Sequence, residues 1–550
     1  MKYSIIILIT QLLLWGCCRS ERSILESFYK ALDGDKWEHK ENWLSDKPLN
    51  EWYGITTDEE GKVVKIQLSD TMTGKVPANL KHLKKLQSLH LDCMAGGIRL
   101  EVNNYPSLKE LKLSGNVEKV SVENCSELEK LSATLRYFDA FHVDSCPKLS
   151  SLELIGHNIS DTTKRELDLS PFPKLSELKI YHLALDQLHI NNCFNLKKIE
   201  IDSCQLQELN LSSCANLEYL KVSGNDSLHA LDLSCCMKLD TLNVNRNSIT
   251  QLDVSNCNRL RYLNCLFNKL QKLNVSKCGE LEVLAVENNN LSVLDVSRCR
   301  KLKQLWCNVN NLSVLDISKC KELESLSCSN NNLSVLDISK CRKLEKLGCY
   351  ENNLTELDLS QNTELDFINC FGNNLSKLDV SRCKKLGQLF CFDNNLSKLD
   401  VSHNSKLDII NCGGNNLSIL DLSKCIELEE LYCYENNLTE LDLSQNTELY
   451  IINCFDNNLS KLDVSRCGEL RALDCGGNLK ELDLSKCPNI EYLNLYGTQL
   501  TSIDISNHYE LCYFNIDCTP ITTIWVWDGF DPSTFDEWRV PEGVECKIKQ

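Results

Sequence analysis

A leucine recurs every 21 residues through the C-terminal half of this 550-residue chain, and this period constrains the fold more than any other feature. Apolar residues at the same spacing, with one single-residue deletion before Leu479, extend the series to positions 228 and 521. The regular part consists of Leu270, Leu291, Leu312, Leu333, Leu354, Leu375, Leu396, Leu417, Leu438 and Leu459. A fixed period over this length indicates a solenoid, in which each unit packs only on its neighbours.

One unit, written from Leu323 as position 1, reads L-x-x-L-x-C-x-x-N-N-L-x-x-L-D-I-S-x-C-x-x. Both halves alternate apolar and polar residues as strands do, so we expect short strands on both sides of each turn. Alternation also places positions 3, 5 and 7 of the first half, with position 8 beside them, on the outer side of the first strand. We refer to the surface formed by these four positions as the concave face.

The first half of the unit matches the leucine-rich repeat L-x-x-L-x-L-x-x-N-x-L, and the whole unit resembles the short bacterial subclass called the IRREKO type. Residues 23–77 resemble the N-terminal cap and first repeat of plant receptor-like leucine-rich repeat proteins, without their flanking cysteine pairs. The resemblance implies an α/β-type repeat solenoid that is mostly β. It would be a right-handed coil with a parallel concave sheet, short convex strands and capped ends.

The resemblance and the repeat count divide the chain into four segments. They are a lipoprotein signal peptide (1–16), an N-terminal cap (17–62), a solenoid of about 22 repeats (63–524) and a C-terminal cap (525–550). Tryptophans at both ends are expected to cover the terminal core, because large aromatic side chains cover the most area per residue. They are Trp37, Trp43 and Trp52 in the first cap, and Trp525, Trp527 and Trp538 in the second.

The first residues, MKYSIIILITQLLLWGCCRS, predict export. The apolar run from Tyr3 to Trp15 is shorter than the roughly 20 residues that span a bilayer, which favours a signal peptide over a transmembrane helix. The Leu14–Cys17 segment resembles the lipobox of bacterial lipoproteins, which implies lipidation of Cys17 and membrane contact through that lipid alone. We expect an outer-membrane anchor with cell-surface exposure, and a periplasm-facing anchor or a secreted protein are the alternatives.

Composition and motifs exclude several function classes. The net charge is −18, with 59 Lys and Arg against 77 Asp and Glu, which argues against a nucleic-acid partner. The sequence has no G-x-S-x-G, H-E-x-x-H or phosphate-binding loop, and its 10 histidines are scattered. We therefore predict that the protein is not an enzyme and carries no cofactor.

Most of the 32 cysteines fall at position 6 or position 19 of the unit. Position 6 also accepts Leu, Val or Ile, and position 19 also accepts Asn, which indicates core sites. Adjacent turns lie about 4.8 Å apart, farther than the Cβ separation of a disulfide, so we predict thiols. Straight columns without a C-x-x-C pair do not suit zinc, and hence no metal is predicted.

Two polar columns are expected to hold the backbone. Asparagine at position 9, such as Asn331, can bond backbone groups of adjacent turns. Aspartate at position 15, such as Asp337, is followed two residues later by serine, which favours local turn bonds over calcium.

Aromatic residues recur on the concave face, although the repeat does not require them there. With the acidic residues at position 8, which we call the acidic margin, they form a candidate ligand-binding surface. The candidate aromatic residues are Tyr262, Trp306, Tyr350, Phe371, Phe390, Phe392, Tyr432, Tyr434, Phe455 and Tyr496; the acidic margin is Glu351, Asp393, Glu435 and Asp456. Ser329 and Asn330 are expected to face the same surface.

This surface predicts recognition of a protein ligand. Adhesion to a host or to neighbouring cells is the function that the family resemblance implies. Three other hypotheses remain open: a glycan whose rings stack on the aromatics, a passive envelope scaffold, and aromatics that only stabilise the sheet through cross-strand contacts.

Overall fold

The computed structural model describes residues 20–136, 141–156 and 166–549. The chain is a mostly-β solenoid of about 22 turns with parallel stacked strands and little helix, which confirms the predicted fold class. It divides into two compact units, Met1–Leu270 and Gln271–Gln550. The predicted signal peptide and the lipidation site at Cys17 lie outside the described residues. Within the described ranges, no helix is long and apolar enough to cross a membrane.

Unit 1 opens with a small aromatic cap. Helix α1 (Glu21–Ala31) starts at Ser20, whose hydroxyl accepts a hydrogen bond from the Ser23 amide at 3.2 Å. Trp37, Trp43 and Trp52 are all buried. The rings of Trp37 and Trp43 meet edge to face at 5.4 Å, and both pack on aromatic residues of α1. Tryptophan packing therefore does the work that the missing cysteine pairs would do.

The strands of unit 1 are parallel except for the first pair, β1 and β2, which is antiparallel. Strands β2, β3 and β4 are long, whereas later turns keep separate short strands on their two sides. The strands are β1 Ile55–Thr57, β2 Val63–Lys75, β3 Ser88–Asn103, β4 Glu110–Glu123, β5 Lys130–Leu135, β6 Phe141–Asp144, β7 Ser151–Gly156, β8 Glu166–Asp168, β9 Glu177–Tyr181, β10 Gln187–His189, β11 Lys198–Asp202, β12 Tyr219–Ser223, β13 Thr241–Asn243, β14 Gln251–Asp253 and β15 Tyr262–Asn264.

Unit 2 repeats one short strand at positions 3 to 5 of each turn, and these strands pair in parallel with an offset of one repeat. Short strands also form on the opposite side near both ends of the unit. The strands are β16 Lys272–Asn274, β17 Val283–Ala285, β18 Gln304–Trp306, β19 Ser325–Ser327, β20 Lys346–Gly348, β21 Phe367–Asn369, β22 Gln388–Phe390, β23 Ile409–Asn411, β24 Glu430–Tyr432, β25 Ile451–Asn453, β26 Lys461–Leu462, β27 Ala472–Asp474, β28 Glu481–Leu482, β29 Tyr492–Asn494, β30 Ser502–Asp504, β31 Tyr513–Asn515, β32 Thr523–Val526, β33 Glu537–Arg539 and β34 Glu545–Ile548.

Asparagine at position 9 ties each turn to the turn before it. The side-chain amide of Asn331 donates to the carbonyls of Cys307, Cys328 and Ser329 at 3.0–3.1 Å. Its carbonyl accepts from the Leu312 amide at 3.0 Å. The predicted backbone role is confirmed, because these bonds join two turns and leave the buried amide satisfied.

Aspartate at position 15 closes a turn within its own repeat, as predicted. The carboxylate of Asp337 accepts a hydrogen bond from the Ser339 amide at 2.9 Å, and the same bond recurs at Asp358 and Asp379. The same bond occurs at Asp463 and Asp483, in turns whose second halves form short strands, so it accompanies both kinds of turn.

The cysteines of the described ranges are thiols, and both repeat columns are buried. Burial raises the pKa of Cys370 to about 12, so its thiol stays protonated at neutral pH. At position 19, Cys341 donates through Sγ to the carbonyls of Ile317 and Cys320. One turn later Asn362 donates to the equivalent carbonyls of Ile338 and Cys341. This shared role explains why Cys and Asn replace each other at position 19.

We predict that Asn331→Ala destabilises the coil by about 3 kcal/mol, because it leaves the buried Leu312 amide and several backbone carbonyls without hydrogen-bond partners. Hydrogen exchange followed by mass spectrometry checks this, and the Leu312 amide should exchange faster. Asn332→Ala is the matched control, because this substitution removes the same atoms from the next residue, which is exposed. Equal effects of the two substitutions would contradict the account.

We predict that N-ethylmaleimide labels the exposed Cys518 and Cys546 in the native protein and leaves the position 6 and position 19 thiols unlabelled. After unfolding in denaturant without a reductant, every cysteine of residues 20–549 should react. Mass spectrometry of the labelled peptides gives the result. Bridged cysteines that need a reductant before they react would overturn the assignment.

Candidate functional site

The parallel strands of unit 2 present their odd positions outward and bury the leucine between them. In β20, for example, Leu347 is fully buried while Lys346 is exposed. Because the register advances by one full repeat, residues at one position form a straight row across the turns. The concave face is therefore a set of rows whose members lie side by side.

Position 7 carries three stacked rings. The ring centroids of Tyr350 and Phe371 lie 4.6 Å apart with the planes 9° from parallel. Those of Phe371 and Phe392 lie 4.2 Å apart with the planes at 10°. We call Tyr350, Phe371 and Phe392 the aromatic stack. Its rings cover one another's faces and are only half-buried, so their edges remain open to solvent.

The next ring along position 7, Tyr434, lies over a glycine. A β-carbon on Gly413 would come within 2.5 Å of the Tyr434 ring, so no larger residue fits beneath it. A β-carbon on Gly476 would likewise come within 2.7 Å of the Phe455 ring, whose centroid lies 6.4 Å from that of Tyr496. The row therefore continues as tilted rings over small residues.

Other predicted aromatics stand at position 5, in the adjacent row. The centroid of Phe390 lies 5.8 Å from that of Phe367. Tyr432 donates a hydrogen bond to Glu430 at 2.8 Å, and Tyr450 donates to the same carboxylate. The bond to Glu430 raises the pKa of Tyr450 to about 12, so this hydroxyl is a fixed donor at neutral pH.

The acidic margin stands on backbone in the left-handed region. The φ angles are 52° at Glu351, 51° at Asp393, 47° at Glu435 and 53° at Asp456. Position 8 has the same backbone in turns without a carboxylate, as at Val309 and Asn330, so this conformation belongs to the repeat. None of these four carboxylates forms an ion pair within the described ranges of the chain. Their negative charge is left for solvent or for a ligand.

Glycines separate part of this negative charge. Gly372 and Gly414 occupy position 8 in the turns after Glu351 and Asp393. A β-carbon on Gly414 would lie 2.2 Å from Oδ1 of Asp393, so the carboxylate bends over the glycine of the next turn. Only Glu435 and Asp456 occupy adjacent turns. The margin thus keeps four carboxylates beside the rings with limited mutual repulsion.

The predicted site residues do not form one cluster. Each ring of Tyr350, Phe371 and Phe392 stacks on the next, whereas Trp306 lies two turns earlier, in β18. Tyr262 lies in β15 of unit 1, outside the unit that holds the other candidates. The expectation for Ser329 is wrong. Ser329 is fully buried, and its hydroxyl accepts a hydrogen bond from the Tyr350 amide at 3.1 Å.

The concave face of unit 1 has a different character, which the repeat pattern did not indicate. Its charges neutralise one another along and across strands. Lys198 lies 2.7 Å from Glu200, and Lys221 lies 2.6 Å from Asp202. Tyr181 donates a further hydrogen bond to Glu200 at 2.5 Å. The alternation of lysine and acidic residues in neighbouring strands is the sequence pattern that could have predicted these ion pairs. The resulting face needs no ligand for charge balance.

Several solved structures are similar to this chain. The functional domain of InlJ from Listeria monocytogenes, described as including a cysteine ladder, is 30% identical with a TM-score of 0.50, covering 62% of this chain and 70% of that one. YopM from Yersinia enterocolitica is 20% identical with a TM-score of 0.52, covering 82% of this chain and 91% of that one.

The Arabidopsis receptor kinase HAESA, solved with the peptide hormone IDA and the co-receptor SERK1, is 18% identical with a TM-score of 0.56; the match covers 92% of this chain and 95% of that one. No protein-family model and no curated protein matches the chain. The identity with InlJ, the 21-residue turns and the stacked parallel strands lead to one conclusion: the chain belongs to the leucine-rich repeat proteins.

Proposed function

We propose that this protein is a non-enzymatic, exported binding protein that recognises a protein partner through the concave face of unit 2. The observation that carries the proposal is the aromatic stack. Three parallel rings stand at an outward position with their edges open to solvent. Exposed aromatic groups on a rigid surface are the residues that most often carry binding energy.

The fold itself does not need these rings. Position 7 holds Asn308 and Ser329 in the turns before Tyr350, and Gly413 in the turn after Phe392. The strands of those turns pair in the same register as the strands that carry rings. A stacked aromatic pair contributes about 0.5–1.5 kcal/mol, which is small beside the backbone bonds of each turn. Stabilisation of the sheet therefore gives a weaker account of the rings than ligand binding does.

The acidic margin indicates the charge of the partner. Its carboxylates are unpaired and lie beside the rings on left-handed backbone. A partner segment with Lys or Arg could pair with Asp393 or Glu351 while its side-chain stems lie on the stack. The proposed ligand surface is therefore basic where it meets the stack.

The similar structures support a protein or peptide ligand by analogy. HAESA is solved with a peptide hormone and a co-receptor. Fold does not fix function, so adhesion or host interaction enters as part of the proposal. The same holds for an outer-membrane lipid anchor at Cys17 and exposure on the cell surface.

The test begins with the tagged mature protein, which is used to isolate and identify a bound protein. The dissociation constant is then measured for a variant with Tyr350, Phe371, Phe392 and Tyr434 all changed to Ala. We expect a loss of affinity of about 100-fold or more, equivalent to about 2.7 kcal/mol, because a few aromatic side chains at the centre of an interface carry most of its binding energy. Circular dichroism and thermal unfolding check that the variant is folded.

A control variant changes Phe194 and Tyr509, which are exposed aromatic residues away from the concave face, to Ala. It should bind the partner as the unaltered protein does. Unchanged binding by the fourfold variant would favour a passive scaffold. A glycan array tests whether the ligand is a sugar. Selective glycan binding that is lost in the fourfold variant would indicate a glycan ligand instead of a protein.

We predict that Cys17→Ser abolishes incorporation of radiolabelled palmitate and releases the protein from the membrane fraction, because lipidation needs the thiol. Cys18→Ser is the matched control and should keep both properties. Protease treatment of intact cells reports surface exposure. Continued labelling of the Cys17→Ser protein would contradict the proposed anchor.

A further inference from the structure

A recess of about 430 Å³ opens on the concave face of unit 2, beside the Tyr350 end of the aromatic stack. Its floor is made of small residues on two adjacent turns, including Ser325, Ser327 and Gly348. Trp306, Tyr350 and Phe367 stand around this floor. The recess exists because small residues interrupt rows that carry aromatics in neighbouring turns.

The size of the recess suits one ring and its attachment. Small-molecule sites in proteins usually occupy about 300–1,000 Å³, so this volume lies near the lower limit. The walls are flat aromatic rings, and the floor offers hydroxyl groups and backbone. A planar aromatic side chain can contact Trp306 and Phe367, whereas a bulky branched group has less flat area to meet.

One cation borders the recess. In the turns that start at Leu281 through Leu511, Lys346 is the only Lys or Arg at positions 3, 5, 7 and 8. On other sides of these turns, Lys343 pairs with Glu322 at 2.5 Å and Lys303 pairs with Glu282 at 2.9 Å. Lys346 is exposed and forms no ion pair within the described part of the chain.

Glu287, the acidic residue that lines the recess, does not form an ion pair with Lys346. Glu287 accepts a hydrogen bond from the Asn308 side-chain amide at 2.6 Å, and burial raises the pKa of Glu287. The carbonyl oxygen of Asn308 in turn accepts from the Ser327 hydroxyl at 2.7 Å and the Ser329 amide at 2.9 Å. These polar groups are occupied by one another. Lys346 is the group left to bind an anion.

We infer that this recess binds an aromatic side chain of the protein partner while Lys346 pairs with a carboxylate of the same partner segment. The inference rests on the proposed function and adds the orientation of the bound segment. An aromatic and acidic residue pair would sit at the recess, and basic residues would follow along the acidic margin beside Phe371 and Phe392. The bound segment would then have one orientation on the concave face.

The test uses small probes with the full mature protein. The acid 3-(4-hydroxyphenyl)propanoate and the amine tyramine carry the same ring with opposite charges, and protein-observed or saturation-transfer NMR gives their affinities. We expect the acid to bind roughly tenfold more tightly at low salt, with the preference reduced at high salt and in Lys346→Gln. Equal affinity for the two probes would overturn the role of Lys346.

Gly348→Trp tests the recess itself. Trp306 occupies the same position 5 two turns earlier, so the repeat accepts this side chain. A β-carbon on Gly348 would lie 3.1 Å from the Ser327 hydroxyl and 3.5 Å from the Ser329 hydroxyl, and both are side-chain atoms. We expect Gly348→Trp to lower affinity for the acid at least roughly tenfold, and Gly348→Ala to lower it less than about threefold, because one methyl group leaves most of the recess open.

Two further results would overturn the inference: acid binding unchanged in Gly348→Trp, or tighter binding of a methyl glucuronide than of the aromatic acid. The second would assign the recess to acidic sugars. The probe titrations report on the recess alone, whereas partner affinity of the fourfold aromatic variant reports on the proposed function. Failure of one can therefore be told from failure of the other.

Discussion

The rest of this structure depends on the hydrogen bonds that the asparagine at position 9 forms between adjacent turns. Asn331 donates to carbonyls of its own turn and of the turn before, and accepts the Leu312 amide. The same set recurs at Asn352 and Asn373, so each turn stacks on the last at one fixed register. Once that register is fixed, every position of the repeat becomes a straight row, and buried rows are filled by Leu, Ile or Cys without further constraint.

This arrangement separates folding from recognition. Because backbone and asparagine bonds hold the turns, outward positions vary freely, and position 7 can carry Ser329, Tyr350 or Gly413 on strands of the same register. Rings placed there stand on rigid parallel strands and are already ordered by stacking on one another. Little side-chain entropy then remains to be lost on binding, which favours affinity. The uncompensated acidic margin and the unpaired Lys346 add charges of opposite sign at different places on one face.

The sequence was sufficient for features that follow from period and alternation. The 21-residue spacing predicted the solenoid, the exchange of Cys with Leu predicted buried thiols, and the serine after Asp337 predicted a local turn bond. Features that depend on contacts between individual side chains could not be predicted in this way. Ser329 is buried and accepts a hydrogen bond from the next turn, and Tyr434 lies over Gly413 because no β-carbon blocks it. The charge-balanced face of unit 1 likewise depends on which lysine reaches which carboxylate.

The central claim is that the concave face of unit 2 contacts a protein. Site-specific photo-crosslinking tests it most directly, with benzoylphenylalanine placed at Phe392 in one protein and at Ile419, an exposed residue in the second half of its repeat, in another. Both are exposed to the same cells or extracellular material. The account predicts one discrete protein adduct from position 392 and none from position 419. Adducts from position 419 alone, or none from 392 while the partner remains bound, would contradict it.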